Sequence, residues 1–591
     1  MIKEYNLKSK LPHIISVIIL VLMAALLISR SQFGLDWSDE TYYSAMTYTN
    51  LMSGGIFQNM HLLSFWPLIL GPLVDLYIIV AGNTSGIILF LRICYILFTL
   101  GLSIYLYKTA VKVVTPWVAF IVSAILLIFI PVNIPTLSYN SIVILMTLLS
   151  ILLINNGITG NKISYFHIIL SGFCFGIAVV SYPTILIALL VLPIHLLIKS
   201  FHINKLNRKW DFVLVWFLGF LIIPILILAN ILLNYSGPEI IENISRLFNN
   251  TTFINNGLNI KNVLFKYFEP IQAFFPNKLL WFFVVTILAF LNTRFKKERL
   301  TFNTKLNNHE RLTYVGTIIL LIVFVILEFL MFTLVLSQTN MAYAFIPLTL
   351  GMPIFYFITN KFSSKYMILY LMGIFLSIAM YLSTNDFNVF LVGLILSTIA
   401  VILYIGEYLM KEDFDLKYKI PIYGIIFYFG FVVLFSLSSN RLNTVYRDEP
   451  ISKLSTSIKA GPGKGLITTK ESATKYDKIY KAIKDYVPDR GTVLFTRDLP
   501  FGYLCTNASP SFPKLSNIDI GSEYLNKYFS SKYYLLPDCV FQVADGYGYL
   551  KDDGSYSNDN NPVVGNLGEL LKSSNYETIT LDCATIYLKV K

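Results

Sequence analysis

The apolar run Leu11–Ser29, LPHIISVIILVLMAALLIS, is followed almost at once by Gly34-Leu35-Asp36-Trp37-Ser38-Asp39-Glu40-Thr41-Tyr42-Tyr43, and this pairing decides how the chain is read. A helix over the first stretch is long enough to cross a hydrocarbon core about 30 Å thick. It is too long for a signal-peptide core and has no small-residue cleavage site behind it, so it is predicted to remain as an anchor. The second stretch then starts a short helix just outside the bilayer, with two adjacent carboxylates in its first turn.

Working outward, the same apolar pattern recurs through the first three quarters of the 591 residues. The composition is 55% hydrophobic and only 14% charged, with a mean hydropathy of +0.64, which excludes an ordinary soluble protein. Spans are predicted near 11–29, 87–107, 116–133, 138–154, 163–181, 184–199, 211–233, 278–292, 312–336, 342–359, 366–383, 387–410 and 420–438, giving about 13 transmembrane helices. The stretch Leu62–Ala81 is apolar but interrupted by Pro67, Gly71, Pro72 and Asp75, and is read as helices lying in the interface.

The formal charge of +12 is distributed as a topology signal and not as a nucleic-acid footprint. With the N-terminus inside, roughly twenty basic residues fall in inner segments against about six outside before the tail. The exterior regions are then 30–86, 234–277 and 440–591. At residue 440 the composition turns to Lys, Asp, Ser, Gly and Tyr, which marks a domain boundary between a transmembrane part, 1–439, and an extracytoplasmic part, 440–591. Within the tail, Tyr476–Tyr486 reads as an amphipathic helix and Gly491–Thr496 as a strand. Gly568–Ser573 reads as a short helix, and Thr578–Leu581 with Thr585–Val590 as paired strands. The expectation is a small α/β domain. The fold class is thus a polytopic α-helical membrane protein with a small C-terminal α/β domain.

Cys505, Cys539 and Cys583 in the tail allow at most one disulfide, and neither the cysteines nor six scattered histidines show metal-ligand spacing. Gly461-Pro462-Gly463-Lys464-Gly465 lacks the spacing of a phosphate loop and is read as a turn.

Ser38 is a suitable N-cap, Asp39 and Glu40 fill the first turn, and Gly54-Gly55 ends the helix. Tyr42, Ala45, Met46, Thr49 and Met52 share one face, so this helix is predicted to lie on the membrane surface. Both acids suit a helix N-terminus whatever else they do, and the helix dipole keeps a carboxylate ionised, as a base must be.

The order of span, exterior Asp-Glu-x-x-Tyr helix, apolar Pro-containing stretch and second span with an early arginine resembles the GT-C membrane glycosyltransferases. The bacterial aminoarabinose transferases and protein O-mannosyltransferases are the most similar members. The residues that carry the likeness are Asp39, Glu40, Tyr43, Gly54-Gly55, Trp66-Pro67-Leu68, Gly82 and Arg92. As motif it covers about 31–92; as architecture it covers most of 1–440. It implies transfer of a sugar from a polyprenyl-phosphate donor to an extracytoplasmic glycan, lipid or wall polymer, with inversion. In that scheme Asp39 is the base, aided by Glu40. Related enzymes often carry a further acid where this chain has Asn140. An amide binds a metal weakly, so no metal or other cofactor is expected.

The substrate-binding set expected from this is Tyr43, His61, Arg92, Asn140, Lys261 and Lys266, with Arg246 and Lys278 as further cations near the outer surface. An arginine inside an apolar run needs a partner, and Asp75 is one candidate for Arg92. Glu40→Gln is predicted to do less damage than Asp39→Asn, because neighbours about 100° apart on a helix do not address the same atom. The expected partners are donor, acceptor and membrane lipids, with no nucleic acid. Two other readings are a polyprenyl-linked glycan polymerase or ligase, and a flippase or transporter without chemistry. The latter would call for mid-span charges, of which only Glu328 and Glu407 qualify.

Overall fold

The computed structural model describes residues 2–53, 65–159, 162–201, 210–238, 240–241, 345, 349, 364–384, 387–411, 433–435, 437–496, 499–512, 515, 536–548 and 575–590. The predicted spans near 278–292 and 312–336, nearly all of 342–359 and most of 420–438 lie outside the described residues. So do most of the loop 234–277 and the Gly568–Ser573 helix.

The membrane-type part begins with α1 (Ile2–Arg30), α2 (Asp39–Ser53), α3 (Trp66–Ala81), α4 (Ile87–Ala110), α5 (Pro116–Ile128) and α6 (Tyr139–Gly157). A short hairpin of β1 (Ile158–Thr159) and β2 (Lys162–Ile163) leads to α7 (Tyr165–Ser181), α8 (Val191–Phe201), α9 (Asp211–Asn234), α10 (Ser364–Thr384) and α11 (Phe387–Lys411). Among the described residues, seven helices are long and apolar enough to cross a membrane: Lys10–Arg30, Ile87–Ala110, Pro116–Asn133, Tyr139–Gly157, Asp211–Leu233, Tyr366–Ser383 and Val389–Glu407. The predicted segments 163–181 and 184–199 are shorter apolar helices.

Local chemistry sets the boundaries. Thr115 accepts the Val118 N–H at the start of α5, and Ser138 and Ser141 cap α6 reciprocally. The apolar stretch expected as several interfacial helices is a single one from Trp66 onward. Pro67 sits in its first turn, Pro72 does not break it, and Gly82 ends it in a left-handed conformation at φ +73°. At 16 residues it spans only about 24 Å, less than a hydrocarbon core. Helices α7 and α9 cross so closely that a Cβ on Gly172 would lie 2.0 Å from the Trp216 carbonyl oxygen. One on Gly219 would meet Ile169 at the same distance. Helices α10 and α11 interlock in the same way through Gly373 against Ser397 and Gly393 against Ser377.

The C-terminal part contains the hairpin β3 (Thr456–Ser457) and β4 (Ile467–Thr468), then α12 (Lys470–Tyr486) and a five-stranded mixed sheet. The sheet runs β6-β5-β7-β9-β8, built from β5 (Thr492–Thr496), β6 (Ser509–Pro510), β7 (Cys539–Val543), β8 (Tyr576–Thr580) and β9 (Ala584–Lys589). β5 pairs parallel with β6 and β7, and β9 runs antiparallel to β7 and β8. The predicted helix, first strand and terminal strand pair are all present. Cys505, Cys539 and Cys583 are buried free thiols.

This sheet region is docked on the helical part through several contacts among the described residues. Phe33 bridges to Ile467, the Tyr48 hydroxyl donates to Asn507 Oδ1 at 2.9 Å, and the Thr84 hydroxyl donates to the Leu504 carbonyl at 2.6 Å. The glycine turn at 461–465 has its carbonyls turned toward the N-terminus of α4: Gly461 O accepts from Gly86 N–H at 3.0 Å and Pro462 O from Ile88 N–H at 3.4 Å. These carbonyls occupy donors that an anion would otherwise use, the opposite of a phosphate loop.

Candidate functional site

The first turn of α2 is where the described acids divide their work. Ser38 accepts the Tyr42 N–H through its carbonyl, but its hydroxyl does not cap the helix as expected. Asp36 does that instead: Oδ1 accepts the Ser38 N–H and hydroxyl at 3.0 Å each, and Oδ2 accepts the Glu40 N–H at 2.8 Å. A charged cap is the stronger solution for donors buried this deeply.

Glu40 is 1% exposed and faces Arg92 in a two-pronged ion pair, Nε to Oε1 at 2.6 Å and Nη2 to Oε2 at 2.5 Å. The remaining Arg92 N–H groups go to the carbonyls of Ser31, Phe33 and Gly34. Asp75 is exposed and is not the partner of Arg92. Arg92 is therefore saturated, and its first effect is to tie α4 to the turn that precedes α2.

Asp39 is the acid of the three that keeps an accessible side chain. Its side chain is 38% accessible, and Oδ2 accepts the Tyr446 hydroxyl at 2.7 Å and meets Arg447 Nη1 at 3.0 Å. Arg447 also donates to the Ser38 hydroxyl and stacks over the Tyr446 ring. Burial, and after it the nearby Asp36 carboxylate, raises Asp39 above the ordinary carboxylate range, while Arg447 and Tyr446 pull it back down. Burial and Asp39 hold the Tyr446 hydroxyl firmly protonated, so it stays a donor. Sequence reasoning misses Tyr446 and Arg447. Their signal is the polar run Leu442–Glu449 directly after the last predicted span, which reads only as the start of the tail.

Helix α2 does not lie on a surface. Thr41, Ser44, Thr47 and Thr49 are buried along with Tyr43, Ala45 and Met46, because α3 and α4 cover one side and the Pro500–Leu504 turn of the sheet region covers another. The hydroxyls tolerate this by donating to carbonyls three or four residues back within the helix, as Thr47 does to Tyr43 at 3.0 Å. The expected amphipathic face fails for that reason: Ser and Thr that satisfy themselves can be buried on any side.

Tyr43 packs edge-on against Trp66 and Tyr139, with Tyr182 against Tyr139, forming an aromatic wall beside the Asp39 turn. Asn140 lies in the first turn of α6, buried, with an Oδ1 that has no partner among the described residues. His61, Arg246, Lys261, Lys266 and Lys278 lie outside the described residues. Asp36, Asp39 and Glu40 each turn to a different protein partner, and no group of three ligand-type side chains converges among the described residues.

The segment carrying Tyr446 is seated tightly. Gly34 has φ +97°, and a Cβ there would come 2.1 Å from Val445 Cγ1. Asp448 Oδ2 accepts both the Leu35 N–H at 2.9 Å and the Thr468 hydroxyl at 2.7 Å, fastening the same segment to the α1–α2 turn and to β4.

If Asp39 serves as a base it must be ionised, and activity resting on it would fall as pH drops through its raised pKa. Arg447→Gln and Tyr446→Phe each remove an influence that lowers that pKa. Both are expected to move the acid limb of the kcat/KM profile to higher pH. A limb that stays in place or moves down would contradict the assignment. No family model matches the chain and no curated protein matches it, so the reading of this site rests on the arrangement of Asp39, Tyr446 and Arg447 itself.

Proposed function

We propose that this chain is an integral-membrane glycosyltransferase, using Asp39 as general base to transfer a sugar from a polyprenyl-phosphate donor to an extracytoplasmic glycan, lipid or wall polymer. The observation that carries the reading is the division among three neighbouring acids. Asp36 is taken up by the helix cap, Glu40 by Arg92, and Asp39 alone keeps an accessible carboxylate between a phenol and a guanidinium. In this reading the carboxylate takes the acceptor hydroxyl proton as that oxygen attacks the anomeric carbon, and the C1–O bond to the phosphate breaks with inversion. The leaving phosphate keeps the bond's electron pair and calls for cationic or hydrogen-bond donors, of which Arg447 is beside the base.

The wider proposal is a bacterial cell-membrane protein of about 13 spans with its N-terminus cytoplasmic and the domain after residue 440 extracytoplasmic. The contacts of 31–48 and 84–88 with 446–507 support one shared side for these three regions.

A flippase is the main rival, and Glu407, at the end of Val389–Glu407, is the intramembrane charge it would use. That carboxylate lies beside Tyr366 on the neighbouring helix. The deciding assay supplies purified full-length protein with a polyprenyl-phosphate sugar and candidate acceptors, with and without excess EDTA. Sugar on the acceptor, in both conditions, is the expected result. Transfer abolished by EDTA and restored by magnesium would recast Asp39 as a metal ligand. Translocation of the donor across vesicles without any transfer would sink the enzyme reading.

A further inference from the structure

Most buried charges in the described residues have an opposite charge or a full set of acceptors. Arg441 has neither. It lies in the helical segment 437–443 that leads into the Tyr446 segment, is 5% exposed, and its Nη1 has no hydrogen-bond partner among the described residues. No carboxylate pairs with it among the described residues. An isolated buried guanidinium is costly, and such a group persists where something compensates it.

What Arg441 faces is a small, partly open cavity of about 40 Å³ between the end of α1, α4, the turn after α5 and the segment 441–446. Arg30 and Arg92 line it too, with Asp36 and Glu40 as the opposing charges. Glu40 is fully engaged by Arg92, and Asp36 by the helix cap. Arg30 donates only to carbonyls, those of Leu442, Phe33 and Thr444. Three guanidinium groups and two carboxylates line this space, and with Glu40 and Asp36 already engaged no carboxylate among the described lining residues is left for Arg441. Burial and repulsion from Arg30 and Arg92 draw Arg441 down to about 10, which still leaves it cationic at neutral pH.

The backbone around the cavity is held in an unusual form. Val132 and Asn133 take left-handed conformations, φ +54° and +60°, and Asn133 lines the cavity. Arg447, φ +54°, is one residue beyond Tyr446, which forms its wall. A β-branched residue adopts such a conformation only where its surroundings enforce it, and such strain gathers at ligand clamps.

We infer that this cavity is a binding site for one phosphate-class oxyanion, held by Arg441 with Arg30 beside it. Asp39 is not part of its lining. Tyr446 stands between the two, contributing to the cavity wall and giving its hydroxyl to Asp39. Occupancy would fix the position of that phenol. The inference does not depend on the glycosyl-transfer reading, and its test involves no turnover.

Full-length protein in neutral-lipid nanodiscs is melted in potassium phosphate and in potassium chloride of equal ionic strength, with a short-chain polyprenyl monophosphate as a third arm. Phosphate is expected to raise the Tm of the wild-type protein over chloride, by several degrees when it saturates the site. Arg441→Gln is expected to weaken that binding at least about tenfold, with Arg441→Lys intermediate. In chloride Arg441→Gln should be no less stable than wild type, since a neutral amide replaces an unpaired charge. Inorganic phosphate acting alone marks a free anion as the ligand, and the lipid phosphate acting alone marks a headgroup; either supports the site. A phosphate shift matched by chloride, or one fully retained in Arg441→Gln, overturns it. Equilibrium dialysis of radiolabelled phosphate against wild-type protein probes the same site without any variant: saturable binding displaced by sulfate is expected, and its absence ends the proposal.

Discussion

Asp39→Asn is expected to lower transfer by roughly 10²–10⁴-fold, the usual contribution of a positioned base, while the protein purifies and melts as the wild type does. The stability half of this expectation follows from the electrostatics. Burial disfavours the charged form of Asp39, so a neutral isostere relieves a desolvation cost. An amide oxygen still accepts from Tyr446 and Arg447, so the segment after the last predicted span stays docked. The measurement pairs initial rates with melting curves on the same preparation. Full activity in a well-folded Asp39→Asn protein would remove the base assignment. Lost activity together with a large drop in Tm would show that Asp39 is a structural acid.

Glu40→Gln is expected to do its damage to the fold. The sequence suggests a mild substitution, because Glu40 points away from the atom that Asp39 addresses. The structure gives a different expectation for a physical reason: Glu40 is the sole carboxylate paired with a buried arginine among the described residues. Leaving Arg92 uncompensated costs about 3–5 kcal/mol, a large part of a typical stability. Low yield and aggregation on size exclusion are the expected signs. The double variant Glu40→Gln with Arg92→Met should recover much of that loss, since removing both charges removes the imbalance. A Glu40→Gln protein with wild-type Tm but no transfer would instead give Glu40 a catalytic role.

The parts of the molecule that are legible in the sequence are those whose signal is local. Hydropathy over 18 or more residues marks α1, α4, α9 and α11, and the periods of 3.6 and 2 mark α12 and the strands β5, β8 and β9. The Asp39-Glu40 turn is legible because helix starts have a chemical signature. Partnership is not local. The need of Arg92 for a carboxylate is visible in an apolar run, but whether Asp75 or Glu40 supplies it depends on how α2 and α4 cross. Tyr446 and Arg447 are further still from inspection. They belong to no periodic element, and their meaning appears only when the chain returns across more than 400 residues to Asp39.

That return has a consequence for the order of events in the cell. Asp39 and Tyr446 are 407 residues apart in sequence. At roughly 5–20 residues per second, a ribosome needs about 20–80 s to make the second after the first. Throughout that interval the carboxylate stands without the phenol and the guanidinium that tune it, whatever membrane segments have already been inserted. Asp39 gains both partners only after the segment 445–447 has been made and Gly34 has received Val445 against its bare Cα. A chain stalled before residue 446 therefore holds the Asp39 turn without either of these two partners.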